Sequence, residues 1–159
     1  MIPGIQLAHS ATAQGLYVAR KLAGQKDGGR LDLVPGCVYT SPEIASVGIT
    51  EEEAKEKGIS VKAGKVMMSA NGKSLISKEE RGFVKILADE ATDEIVGVQM
   101  MCARATDMIG EFVTAMANHM TAADMRKGMR AHPTYNEAVG EALEELAGGA
   151  IHVMPKKKR

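Results

Sequence analysis

With 159 residues, 45% of them hydrophobic and 25% charged, the chain is long enough to bury one core and falls in the size range of a single globular domain. Its 20 basic and 20 acidic side chains cancel, which removes the overall positive field that nucleic acids and acidic membrane surfaces select. No stretch reaches the roughly 20 apolar residues of a membrane-crossing helix, so neither nucleic acid nor membrane is expected as a partner.

Taken in chain order, "IPGIQLAHSATAQGLYVARKLAG" predicts a helix from about residue 6 to Ala23, with Leu7, Ala11, Leu16, Ala19 and Leu22 on one stripe and Gly24 as its stop. "QKDGGRLDLVPG" has the Gly, charge and Pro content of a linker and places a boundary near residues 25 to 35. "CVYTSPEIASVGI" reads as a strand broken at Ser41-Pro42, because proline donates to no ladder and turns its predecessor away from helix. In "TEEEAKEKG" every end signal agrees on a short helix: Thr50 caps it, Glu53 closes a capping box, acids fill the first turn and Gly58 stands just beyond. "ISVKAGKVMM" alternates as a strand, "SANGKSLISKEER" reads as a loop or irregular turn, and "GFVKILAD" and "EIVGVQMMCA" are strands joined at "DEATDE". These strands are expected to run as an antiparallel meander.

The rest is helical. "ATDMIGEFVTAMANHM" puts Met108, Ile109, Phe112, Val113, Met116 and Met120 on one face, read as core rather than as a binding groove. Thr121 with Asp124 caps "TAADMRKGM", and a last helix from near Thr134 buries Ala138, Val139, Ala142, Leu143 and Leu146. Strands first and helices after predict an α+β fold, an antiparallel sheet with helices packed on one face. The two cysteines, Cys37 and Cys102, lie far apart without metal-like spacing, and no basic segment with a long apolar follower opens the chain. Free thiols in a reducing cytoplasm and no metal centre are expected; Cys102 reads as a small core residue.

One stretch admits two chemistries. In "MRAHPTYNEAVGEAL", Thr134 followed by Glu137 is a capping box and Pro133 stiffens the entry, so a helix start accounts for the pattern. The same spacing allows His132 and Glu137 to meet. A carboxylate accepting from one imidazole nitrogen fixes the tautomer and raises the basicity of the other, the requirement of a general base near neutral pH. Spacing alone leaves both readings open.

"AHPTYNEA", "PGCVYTSPEIASVGITEEEAKEKG", "GFVKILADEATDEIVGVQMM" and "QLAHSATAQG" occur together in one chain. Together they resemble the C-terminal part of the dihydrolipoamide dehydrogenases, flavin-dependent disulfide oxidoreductases. The resemblance implies that residues 1–25 are the terminal helix of a missing flavin-binding domain, 26–34 a linker, 35–150 the dimerisation or interface domain, and 151–159 a flexible basic tail. It implies that His132 is the acid/base between a dithiol substrate and the redox disulfide, that Glu137 orients it, and that both serve the other subunit of a homodimer. Gln6, Leu7, Ala8 and His9 match the segment whose backbone approaches FAD at a helix N-terminus; Gln14 departs from the glutamate expected of the family.

The family's further parts are missing from these residues. Neither Cys37 nor Cys102 stands in a pair four residues apart, and no G-x-G-x-x-G follows a strand. FAD and NAD belong to the full-length family, and neither is expected on this chain, which is read as a fragment inactive alone. In the full enzyme the partners would include lipoyl-bearing acyltransferase components. Alternatives are a stand-alone interaction module, or the same domain of a glutathione or mercuric reductase. His119, near a helix end, and His152, in the tail, receive no role; "PKKKR" is read as a solubilising or acid-binding tail rather than an import signal.

Overall fold

The computed structural model describes residues 4–26 and 29–154, so Asp27 and Gly28 of the expected linker and the "PKKKR" tail lie outside the described residues. The chain forms two compact units, residues 1–34 and 35–159. In the first, helix α1 (Ala8–Leu22) starts two residues later than expected, with Leu7 extended at its N-cap and Gly24 at φ 71° beyond its end. All five residues of its expected stripe are exposed, Leu22 at 86%. The stripe therefore keeps open the apolar surface that the sequence marks for burial.

The second unit is a five-stranded antiparallel sheet. Its strands are β1 (Gly36–Val38), β2 (Glu43–Gly48), β3 (Val61–Met67), β4 (Phe83–Asp89) and β5 (Ile95–Cys102). The order β1-β2-β5-β4-β3 corrects the simple meander: β1 pairs with β2, and β3, β4 and β5 follow one another, but β2 joins the far side of β5 rather than β3. The Ser41–Pro42 bond, which is cis, lies between β1 and β2 where the break was read. Helix α2 (Glu51–Glu56) has the complete capping box of Thr50 and Glu53. A second correction concerns "SANGKSLISKEER", which holds a 3₁₀ turn at Met68–Ala70 and helix α3 (Gly72–Ser77). Asn71 supplies the missed start signal, its side chain accepting from the Ser74 N–H at 2.9 Å.

Helices α4 (Ala105–Ala117), α5 (Ala122–Arg126) and α6 (Glu137–Leu146) complete the unit, with α4 packed on β2 and β5 and α6 on β3 and β4. Period-2 alternation decides which strand residues meet them. Ala45, Val47, Val66, Val84, Ile86, Val98 and Met100 are all buried. Against them the α4 face contributes Met108, Ile109, Phe112 and Met116, so this methionine stripe is core, while Val113 and Met120 are only half-buried. Cys102 is fully buried, as expected, and burial pushes its thiol up to about 11.

Two features tie helices to the sheet. A Cβ on Gly64 of β3 would stand 2.0 Å from the Ala142 carbonyl oxygen and 2.9 Å from Leu146 Cγ, so only glycine lets α6 approach this closely. At the start of α4, Arg104 makes no side-chain cap, and Glu43 of β2 serves instead. Its Oε2 accepts from the Thr106 N–H at 2.9 Å and hydroxyl at 2.7 Å. The Thr106 hydroxyl and amide hold the Glu43 carboxyl below the usual glutamate range.

Not every helix shares one face. The short α2 lies over the end of the opposite face, where Lys85 pairs with Glu51 at 2.7 Å and the Gln99 amide donates to the Ile49 carbonyl. The remainder of that face carries an apolar row in register across all five strands: Val38, Ile44, Met101, Phe83 and Met67. Val38 and Met67 are each 50% exposed. A continuous apolar row of this kind is a surface made for cover by other protein.

Candidate functional site

The site grows from the chain that joins α5 to α6. Arg130 is anchored first: its Nη2 donates to Glu111 Oε1 of α4 at 2.7 Å and its Nη1 to the Gly128 carbonyl. The other oxygen of Glu111 accepts from Asn136 Nδ2 at 3.0 Å, so one carboxylate on a packed helix grips the segment on both sides of His132. From α3, Asn71 Nδ2 donates to the Thr134 carbonyl at 3.0 Å. The Thr134 hydroxyl donates to the Ala131 carbonyl at 2.7 Å, and the His132–Pro133 bond is cis.

Glu137 then answers the two readings of the sequence at once. Its Oε2 accepts from the Thr134 N–H at 2.8 Å, one half of a capping box, while its Oε1 lies 2.8 Å from His132 Nδ1. The other half of the box does not form: the Thr134 hydroxyl donates to the Ala131 carbonyl, and α6 starts at Glu137, three residues after the expected Thr134. A helix start and a histidine–carboxylate pair are thus one arrangement. The carboxylate needs two lone-pair directions to do both, and it has them.

Burial is the largest single influence on Glu137 and pushes its carboxyl up, but the Thr134 amide, the His132 ring and the charges of His132 and His152 outweigh it and leave the group below the usual glutamate range. Ionised, Glu137 accepts from Nδ1–H and leaves Nε2 of His132 as the basic nitrogen. The His132 side chain is 78% exposed against 29% for Glu137, so the oriented ring stands out into solvent on a half-buried footing. This geometry suits proton exchange with a group brought from outside the unit.

His132 and Glu137 border a cavity of about 540 Å³, together with Asn71, Arg130, Glu141 and His152. The expected free tail from residue 151 is not free at its start: the Ile151 and His152 N–H groups both donate to Glu141 Oε2. Sequence reading missed Asn71, Glu111 and Arg130 as supports. Asn71 had a local signal in its helix cap, whereas Glu111 and Arg130 are joined only by the fold. His119 sits apart, 3.3 Å from Glu94, and among the described residues no three metal-ligating side chains converge.

Gln6, Leu7, Ala8 and His9 lie in the first unit. There the N-terminus of α1 has an N-cap without a side-chain hydrogen bond and no acidic residue in its first turn. Gln6, Leu7 and Ala8 border a concavity of about 380 Å³. A positive helix end without an N-cap side-chain hydrogen bond fits an electron-rich ring edge.

Comparison with known proteins places these features in a family. The family described as "Pyridine nucleotide-disulphide oxidoreductase, dimerisation domain" matches residues 34–143. A dihydrolipoyl dehydrogenase of Bacillus subtilis is 46% identical over 154 residues, covering 96% of this chain and 32% of that protein. A dihydrolipoyl dehydrogenase of Trypanosoma brucei brucei is 43% identical over 139 residues, covering 87% of this chain and 29% of its own length. Among solved structures, LpdA from Mycobacterium tuberculosis superposes with a TM-score of 0.84 at 24% identity, over 89% of this chain and 31% of that one. The chain spans about a third of the length of the relatives it matches.

Proposed function

Because the chain belongs to the pyridine nucleotide-disulphide oxidoreductases, as the dimerisation domain of their dihydrolipoyl dehydrogenase-like members, we propose that it supplies the proton-handling half of a dithiol/disulfide site to a second copy of its own subunit. The observation that carries this reading is the 2.8 Å contact of Glu137 with His132 Nδ1, on a ring whose other nitrogen is open. His132 Nε2 takes the proton of a substrate thiol as its sulfur attacks the redox disulfide, forming a mixed disulfide while the old S–S bond breaks and releases its other sulfur as a thiolate, and Glu137 keeps the imidazolium in place. FAD, when bound, would supply the acceptor for the electron pair, and NAD the onward carrier. The backbone of Gln6, Leu7, Ala8 and His9 would hold the flavin edge. The substrate is dihydrolipoamide, presented by lipoyl-bearing acyltransferase components, and the compartment is the cytoplasm.

The working unit is a homodimer, a reading supported by the family's dimerisation domain and by the apolar row on the sheet, where Val38, Ile44 and Met67 are exposed. The chain alone, mixed with FAD, NAD and dihydrolipoamide, is expected to give no turnover. Joined in frame to the part of the Bacillus subtilis relative that it does not span, it should restore dihydrolipoamide oxidation. Turnover by the 159-residue chain alone, or an inactive but folded and flavin-loaded chimera, would overturn the proposal.

A further inference from the structure

Helix α3 starts on a buried asparagine. Asn71 is 5% exposed, and Ser74, three residues on, is fully buried. Asn71 Oδ1 accepts from the Ser74 N–H at 2.9 Å and from its hydroxyl at 3.1 Å, while Nδ2 donates to the Thr134 carbonyl at 3.0 Å. A backbone N–H can only donate and a carbonyl can only accept, so these two partners fix which way the amide faces. One planar group must therefore accept on one branch and donate on the other. Asparagine does both; aspartate has the same shape but, when ionised, offers acceptors alone.

Thr134 passes this contact on. Its carbonyl accepts from Asn71, its N–H donates to Glu137 Oε2 at 2.8 Å, and its hydroxyl donates to the Ala131 carbonyl at 2.7 Å. Of these three partners only Asn71 stands outside residues 131–137. The carboxylate that the Thr134 N–H holds then meets His132 Nδ1 through Oε1 at 2.8 Å. An unbroken line of contacts thus runs from the buried cap of α3 to an exposed ring, and Asn71, Glu137 and His132 border one cavity. The other ties of this segment bypass the pair: Glu111 holds Arg130 and Asn136, and the Tyr135 hydroxyl donates to Glu79, past the end of α3.

We infer that Asn71 is a positioning residue for the His132–Glu137 pair: its side-chain amide holds the Thr134 backbone where the Thr134 N–H sets the Glu137 carboxylate on His132 Nδ1. The inference rests on the proposed acid/base role of His132. Without the Asn71 donor, Thr134 keeps only partners within its own segment, and nothing from α3 fixes where its N–H points. Glu137 then has less reason to stay on the ring, and the Nδ1–H form of His132 loses its acceptor.

The test needs no turnover and so stands apart from the proposed function. Asn71→Asp in the 159-residue chain keeps an acceptor for the Ser74 N–H and hydroxyl, and so keeps the cap of α3, but turns a carboxylate oxygen to the Thr134 carbonyl. Nitrogen NMR of His132 at alkaline pH, where the ring is neutral, reads the ratio of its Nδ1–H to Nε2–H forms. That ratio should fall by about fivefold, the equilibrium equivalent of one net hydrogen bond. Asn71→Ser also keeps a cap acceptor but is too short to reach Thr134; it should shift the ratio the same way by less, because water can take up the carbonyl, and it decides the matter alone if Asn71→Asp does not fold. Two references separate positioning from general loosening. Ser74→Ala trims α3 yet leaves the Asn71 contact with Thr134, so His132 should not move. The ring of His152 should stay unmoved in every variant: the glycine reversal after α6, with Gly148 at φ 78°, sets it on Glu141, Nδ1 2.9 Å from Oε1, outside the line from Asn71. Folded Asn71→Asp or Asn71→Ser chains with the parent's His132 ratio, or a Ser74→Ala chain that shifts it as far, would overturn the inference. An active His132→Gln chimera would instead sink the proposed function while leaving this tie in place.

Discussion

His132→Gln in the in-frame chimera should lower kcat/KM for dihydrolipoamide by about 10²- to 10⁴-fold, equivalent to roughly 3–5 kcal/mol of lost transition-state stabilisation. Glutamine fills much of the imidazole's space, and His132 is largely exposed, so stability should hardly change. The supports of the loop, Glu111 with Arg130 and Asn136, and Asn71 with Thr134, do not touch the ring and remain in place. Loss of activity with an unchanged melting temperature therefore isolates the proton step. Glu137→Gln should fall in the same direction, because a carboxamide can satisfy the Thr134 N–H through its oxygen while offering Nδ1 an NH₂ and so favouring the wrong tautomer. Stopped-flow mixing with the dithiol would locate the defect in flavin reduction, and a reduction rate equal to the parent's would contradict it.

Gly64→Ala should cost about 3 kcal/mol, the upper end of what overpacking imposes, measured by urea or thermal unfolding. The added Cβ meets the backbone carbonyl of Ala142 at 2.0 Å rather than the end of a flexible side chain, so α6 as a whole must move. Its buried Ala138, Val139, Ala142 and Leu143 would lose part of their packing on β3 and β4. Because Glu137 and Glu141 ride on the same helix, the variant should also disturb both histidine contacts. A Gly64→Ala chain as stable as its parent would mean that α6 does not sit where the contact places it.

These expectations show which parts of the molecule are local and which are not. The capping boxes at Thr50–Glu53 and Thr121–Asp124 are written within four residues and formed as read. The strands follow period-2 alternation, and the α4 core face follows the helical period. Strand order was not legible, because nothing in β2 alone says that it will pair with β5 across some fifty residues. Helix α3 was hidden because its only local marks are Asn71 as cap and a single turn of mixed residues ending at Lys78 in the left-handed region. At Thr134 only half of the box formed: the hydroxyl donates to Ala131, and the carboxylate divides itself between the amide and His132. The tie of His152 to Glu141 needs the glycine reversal after α6, a geometry that "AGGA" suggests but does not aim.

Mixed dimers test the central claim most directly. One chimera carries His132→Gln, the other keeps His132 and has its redox cysteines, supplied by the relative's part, changed to serine; each alone should be inactive. If His132 serves the other subunit, unfolding and refolding the two together in equal amounts should restore on the order of a quarter of the parent activity, since half the dimers are mixed and each holds one complete site. Mixed dimers that form, as seen by mass, yet give no turnover at any ratio would contradict a proton handed across the interface.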